Sequence, residues 1–274
     1  MNMPKNCFSL NETKNIVQQK SLKLLIVGDG CCDYTHYGSI KRISQEAPVP
    51  IFDLDYTESK LGMTYNVKEN FINLGVTDID SHTFVIENKH RYIEKKFSHQ
   101  VYRVDEKTNT QLDILDAVLK SIEENTYDAV VISDYDKGTL SYQNIEQIIK
   151  SCKPAPVFID TKKKDLAKFK NCIVKINEDE YQNSVSHSNK MIVTRSDKDV
   201  LYLENGKTVE NFPVDKVDLH DVTGAGDSFL SAFVVYFMAT NSLQDAINFA
   251  IKSSQITVQK VGVYAPRLEE ICQD

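Results

Sequence analysis

Asp221-Val222-Thr223-Gly224-Ala225-Gly226-Asp227 runs without a break into the apolar segment Ser228 to Met238. The length and spacing of the apolar residues predict a helix over 227–239, so small residues lead straight into a helix start. A glycine-rich entry leaves the first backbone N–H groups unobstructed. With the positive end of the helix dipole, those groups form an anion site. Asp227 then stands in the first turn, a carboxylate beside the cradle that can accept a proton from a hydroxyl as its oxygen attacks phosphorus. The plainer alternative is an ordinary helix start, with Thr223 as cap, glycines for close packing and Asp227 favoured by the dipole alone.

Upstream of this segment, helical and apolar runs alternate. A helix is predicted over 111–124, strands over 129–133, 157–160, 173–176 and 191–194, and a further helix over 142–150, which implies a mainly parallel sheet covered by helices. Asn205-Gly206 separates two short strands and reads as a hairpin turn. A second long helix is predicted over 243–258. Near the start, Leu22 to Val27 reads as a buried strand whose end opens at Gly28-Asp29-Gly30 into a loop, and residues 1–21 read as an extension or a loosely docked first helix. A partly exposed strand over 49–55 and a helix over 66–74, ended by Gly75, follow. Strands over 92–97 and 101–105 carry charges on alternate positions, the pattern of a sheet with one wet face. That fits a small β-lid better than a central parallel strand.

The 274 residues are 41% hydrophobic and 26% charged, with a net charge of -7. This can bury a substantial core but offers no basic excess for DNA, RNA or anionic membranes. No run approaches the roughly 20 apolar residues of a membrane span, and the first residues lack the apolar core of a secretory signal, so a cytoplasmic protein is expected. The six cysteines form no CxxC pair, and the adjacent Cys31 and Cys32 read as small side chains in a loop.

The 221–227 run resembles the C-terminal signature of the ribokinase-like (PfkB) carbohydrate kinases. Other segments resemble that family in the same order, specifically its bacterial heptose-7-phosphate kinase branch: Gly28-Asp29 through Asp33, Tyr37-Gly38, Arg42 through Pro50, Val131 through Tyr135 with Lys137-Gly138, and Ile159-Asp160 followed by lysines. The resemblance spans about Leu22 to Gly262. It implies a three-layer α/β/α fold with a mainly parallel central sheet, a kinase domain over 22–274, and a small β-lid from about 38–56 and 91–105. It implies ATP and Mg2+, a sugar or sugar phosphate as acceptor, and a homodimer paired through the lid. Residue by residue, it makes Asp227 the catalytic base and Gly224, Ala225 and Gly226 the anion hole. Asp33, Gly62 and Asn66 become sugar-binding groups. Read on their own positions, Arg103 on a lid strand and Arg42 can each reach a sugar phosphate or instead make surface ion pairs. Asn177 and Glu180 match the Asn-x-x-Glu motif that organises magnesium and phosphates, and Thr194 begins the nucleotide-side loop. Among the lysines Lys137, Lys162, Lys163 and Lys164, Lys162 is the one read as able to neutralise phosphate on donor or substrate. For Lys163 and Lys164 a solvated face is the expectation.

The chain departs from the family pattern in places. Met63 stands where a second substrate-loop glycine is usual, and Asp199 where the nucleotide-side loop has glycine. The segments between Gly75 and Tyr92 and between Tyr181 and Met191 are short, and no nucleotidyltransferase module is expected after the kinase region. These features keep two alternatives open: a catalytically silent sugar or nucleotide binder, and a kinase for a non-phosphorylated hexose or a nucleoside.

Overall fold

The computed structural model describes residues 9–19, 21–107 and 114–272; Cys7, part of the predicted 1–21 extension and the start of the helix predicted over 111–124 lie outside them. The chain runs α1 (Leu10–Gln19), β1 (Lys23–Ile43), β2 (Pro50–Met63), α2 (Thr64–Asn73), β3 (Asp78–Glu94), β4 (His99–Lys107), α3 (Leu115–Glu124), β5 (Ala129–Asp134) and α4 (Tyr142–Ser151). It continues through β6 (Val157–Thr161), β7 (Ile173–Asn177), α5 (Glu178–Gln182), β8 (Lys190–Thr194), β9 (Asp199–Glu204), β10 (Lys207–Pro213), α6 (Ala225–Thr240), α7 (Leu243–Val258) and α8 (Leu268–Ile271). Two compact units result: Met1–Asp29 with Met63–Thr83 and Leu112–Asp274, and Gly30–Gly62 with Phe84–Gln111.

In the first unit the strands lie in the order β10-β9-β8-β7-β6-β5-β1. The stretch from β8 to β1 is parallel, and β9 and β10 run antiparallel at the edge. Strands covered on both faces need apolar residues at every position. Accordingly Leu24, Ile26, Val131 and Phe158 join a core cluster with Val67 and Phe71 of α2 and the inner residues of α6 and α7. The alternate residues Leu25, Val27, Val130 and Ile132 are equally buried. The α3 and α4 helices contact each other, as do α6 and α7. Asn205 (φ 50°) and Gly206 (φ 75°) make the β9–β10 turn with two left-handed residues, as expected of Asn-Gly. Within the predicted extension, α1 places Val17 in the same core cluster. Among the described residues no helix is long and apolar enough to cross a membrane.

The second unit is the strand set β2-β1-β3-β4. Here the structure corrects the sequence reading: Gly28-Asp29-Gly30 does not open into a loop, because β1 continues to Ile43, and Cys31 and Cys32 are strand residues. With β2 on one side and β3 on the other, the polar stretch after Gly30 gains ladder partners that no local window reveals. The strand predicted over 92–97 ends at Glu94, whose carboxylate accepts from the Phe97 amide at 3.0 Å in the turn to β4. Charge does not mark the wetter side of β3. Glu87 is 3% exposed, whereas the exposed large side chains of this unit include Phe97 and Tyr102. Tyr34, His90, His36 and Tyr92 stack in a row, with His36 Nε2 and His90 Nδ1 2.9 Å apart.

Candidate active site

In open parallel sheets ligands gather beyond the carboxyl ends of the strands, where side chains from neighbouring strand ends converge. In the first unit β5 ends at Asp134 with Tyr135 directly after it, β6 carries Asp160 at its penultimate residue, and β7 carries Lys175 and ends at Asn177. With Lys162, Glu180, Gly224, Gly226 and Asp227 they line one cavity of about 180 Å³. The fourth wall is the start of α6. Its N-cap is Gly224, held at φ 84° with no side-chain cap. Thr223 is therefore not the cap of the plainer reading; its hydroxyl donates to Asp221 Oδ1 at 2.7 Å. The Ala225 N–H donates to Val222 O at 3.2 Å, closing the tight entry turn. A Cβ on Gly226 would stand 2.7 Å from Lys175 Nζ, so glycine here is what lets a buried ammonium approach the helix start.

Asp227 is buried. Burial first, then the Asp160 carboxylate, push its pKa up to about 6, against Lys175, a hydrogen bond from Tyr135 Oη (3.1 Å) and the Asn66 side chain, which favour the charged form. Lys175 donates to Asp160 Oδ2 at 2.7 Å. Burial works to strip its proton, but Asp160, Glu180 and Asp227 outweigh this and hold its pKa above the ordinary lysine value. The cavity thus contains a carboxylic acid poised near neutrality and a fixed positive charge.

The other predicted residues take distinct places. Asn177 and Glu180 cap α5 reciprocally: Asn177 Oδ1 accepts from the Glu180 amide and Glu180 Oε2 from the Asn177 amide, both at 2.8 Å. Both still line the cavity, and Lys162 Nζ meets Glu180 Oε1 at 2.5 Å. Asn66 is a buried residue of α2 turned to Asp227 and does not cap the helix; the N-cap is Met63, at φ 61°. Thr194 ends β8, donates to Ile176 O at 3.4 Å and is not among the residues lining the cavity. Asp199 pairs with Arg195. Lys164 is exposed, as expected of a solvated face, but Lys163 is not: it is buried and meets Asp134 and Asp136. The lysine run is split by the strand-end geometry, which sends alternate side chains inward.

In the second unit Asp33 is held by Arg91, whose Nη1 donates to Asp33 Oδ1 at 2.5 Å. A Cβ on Gly62 would fall 2.5 Å from Asp33 Oδ2 and 2.9 Å from Cys31 Sγ, so glycine at 62 is required by the aspartate itself. Arg103 makes a two-pronged contact with Asp105 at 2.7 and 2.9 Å. Lys89 lies 3.7 Å from Glu87. Burial pushes the Cys31 thiol up to about 12, so it stays protonated.

Sequence reasoning missed Tyr135, Asp160 and Lys175 as cavity groups and Arg91 as the partner of Asp33. One signal was available for Lys175: a lysine inside the apolar run Ile173-Val174-Lys175-Ile176, where a buried strand tolerates charge only if it is paired.

Residues 172–271 match the family model described as pfkB family carbohydrate kinase. Among curated proteins, the bifunctional protein HldE of Helicobacter pylori (strain HPAG1) is 28% identical over 91% of this chain and 65% of its own length. That of Campylobacter curvus is 27% identical over 92% of the chain and 64% of its own length. The chain therefore spans about 65% of the length of such relatives. Among solved structures, phosphofructokinase-2 from Escherichia coli in complex with potassium superposes with a TM-score of 0.72 at 14% identity, covering 91% of this chain and 97% of that one. Arabidopsis thaliana ribokinase complexed with ribose and ATP superposes at 0.66 and 15% identity, with the same coverage. At such identity the likeness is one of fold.

Proposed function

We propose that the chain is a carbohydrate kinase of the PfkB family, whose model its residues 172–271 match, and that it moves the terminal phosphoryl group of ATP to a sugar-phosphate hydroxyl, with heptose 7-phosphate the first acceptor to test. One observation carries this reading: Asp227, with a pKa near 6, shares a cavity with the start of α6 and the Lys175 ammonium. At neutral pH the Asp227 carboxylate takes the acceptor's proton. The acceptor oxygen bonds to the terminal phosphorus, the bond to the bridging oxygen breaks, and ADP leaves. The Gly226 and Asp227 amides and Lys175 face the charge that gathers on the transferred group. Lys162 and Asn177 attend the donor phosphates, with Thr194 beginning the nucleotide-side loop.

The donor set suits magnesium, which needs one or two carboxylates alongside substrate phosphates and its own waters. Glu180 and Asp160 offer hard oxygens on one wall, although each now also holds a lysine. Among the described residues no group of three or more histidine, cysteine or acidic side chains forms a metal cage. Glu180 would hold the ion, which when bound neutralises phosphate charge.

In this reading the second unit is the lid, with Asp33, Gly62 and Arg103 on the acceptor side. It pairs with the lid of a second copy, and the protein works in the cytoplasm. A second reading, a kinase for a non-phosphorylated sugar, is favoured by one observation: Lys89, Arg91 and Arg103 already meet Glu87, Asp33 and Asp105. ATP consumption across a panel of sugars and sugar phosphates tests both. Preference for the phosphorylated members supports the first reading, preference for neutral sugars the second, and binding without turnover by the folded protein overturns both.

A further inference from the structure

The backbone after β5 has no regular structure from Tyr135 to Leu140, and within it Asp136 (φ 54°) and Gly138 (φ 102°) take left-handed conformations. Such a segment needs external partners to hold one shape. Two buried carboxylates supply them. Asp29, fully buried, accepts through Oδ2 from the Tyr135 amide at 2.8 Å and the Lys137 amide at 3.3 Å. Asp134 accepts through Oδ1 from the Asp136 amide at 3.1 Å. Asp134 is held in turn by Thr161 Oγ1 at 2.6 Å and by Lys163, 3.5 Å away. Three consecutive amides are therefore clamped by the side-chain oxygens of two buried acids, and burial pushes the pKa of one of them, Asp134, up to about 6. The side chain this presents is Tyr135, whose ring lies under the Lys162 ammonium (5.4 Å to the centroid) and whose hydroxyl reaches Asp227.

We propose that Asp29 is a positioning residue for phosphoryl transfer: by clamping the Tyr135 and Lys137 amides it aims the Tyr135 hydroxyl at Asp227 and so sets how readily that carboxylate gives up its proton. The proposal rests on the reading of Asp227 as the base. A phenol donating to a carboxylate favours its charged form, so removing or misaiming it raises the carboxylate's pKa. The other groups facing Asp227 are Asp160 from β6, Lys175 from β7 and Asn66 from α2, with Glu180, Lys162 and Asp134 of β5 elsewhere on the wall; burial pushes the Asp134 pKa up to about 6 as well, so the Asp227 signal itself and not the rate profile alone decides the test. None of them hydrogen-bonds to Asp29 among the contacts described.

The test is a carboxyl-13C NMR titration of the full chain labelled at aspartate, with the Asp227 signal assigned by its loss in Asp227→Asn, beside the pH profile of kcat/KM. The wild-type midpoint is expected near 6. Tyr135→Phe and Asp29→Ala should each raise it by about 0.5 to 1 unit. Both should lower kcat/KM roughly 3- to 8-fold at pH 5.5 but less than about twofold at pH 8. Combining them should add little to either alone. Asp29→Asn keeps an acceptor for both amides and should restore the wild-type midpoint. If Asp29→Ala does not fold, Asp29→Ser, whose hydroxyl stops short of the Lys137 amide, takes its place. A folded Asp29 variant with an unmoved midpoint overturns the proposal, as does Tyr135→Phe titrating like wild type. Error in the base assignment shows separately, as turnover surviving Asp227→Asn, while the NMR arm still judges the clamp.

Discussion

Asp227 in the first unit and Asp33 in the second are both acids that the sequence singles out, yet their surroundings differ. Asp227 is enclosed, and although Lys175 is near, that ammonium is bonded to Asp160; what touches Asp227 is a phenol and an amide. Asp33 is partly open, with 23% of its side chain exposed, and meets the Arg91 guanidinium head on. A carboxylate kept from direct ion pairing can trade protons near neutrality, whereas one tied to a guanidinium has an oxygen already engaged and is held in one orientation as an acceptor. The two acids therefore suit different tasks, proton transfer and hydroxyl recognition.

The sharpest way to break that contrast is Asp227→Asn. It should lower kcat by 10² to 10⁴-fold while leaving ATP affinity within about twofold, measured by steady-state kinetics and calorimetry. It should also change stability in a pH-dependent way. The folded state holds the Asp227 proton to about pH 6 against an ordinary 3.8. Between those values it binds more protons than the unfolded chain, so stability falls as pH rises, by a total of about 3 kcal/mol above pH 6. The asparagine variant escapes this loss: its Tm should exceed wild type at pH 8 by roughly 5 °C and match it near pH 4. An equal offset at both pH values would mean that Asp227 is not the group responsible.

Gly226→Ala probes the same site with less force. The added carbon displaces Lys175 Nζ, and kcat should fall about 10- to 100-fold with a near-normal far-UV spectrum. Arg91→Met acts on the other side of the comparison. It frees Asp33, and the acceptor KM should rise about 10-fold with the ATP KM unchanged; a fall in kcat alone would erase the distinction between the two acids. The smallest effect is expected from Met63→Gly. Relief of the positive φ and loss of a buried side chain oppose each other at about 1–3 kcal/mol each, so Tm should move by only a few degrees, while sugar preference shifts more than ATP affinity.

The α/β body was legible because its strands are apolar on both faces, Gly75 follows the end of α2 and Asn205-Gly206 turns β9 into β10. The far halves of β1 and β3 were not, since residues such as Asp33, His36 and His90 become strand residues only through their neighbours. The candidate site divides the same way. Gly224 to Asp227 stand together in sequence, and Asn177 with Glu180 share one turn. Asp160 and Lys175 meet because β6 and β7 pair them in register, and Tyr135 reaches Asp227 across 92 residues of chain. Contacts set by strand register leave no trace in spacing.

Every residue from Asp227 to Tyr236 in α6 is buried. A helix gripped on all sides cannot slide or tilt without tearing the core on each flank. Asp227 is therefore mounted on an enclosed stretch of helix, and in any catalytic cycle that uses it as a proton acceptor, the travelling is left to the molecules that arrive and depart.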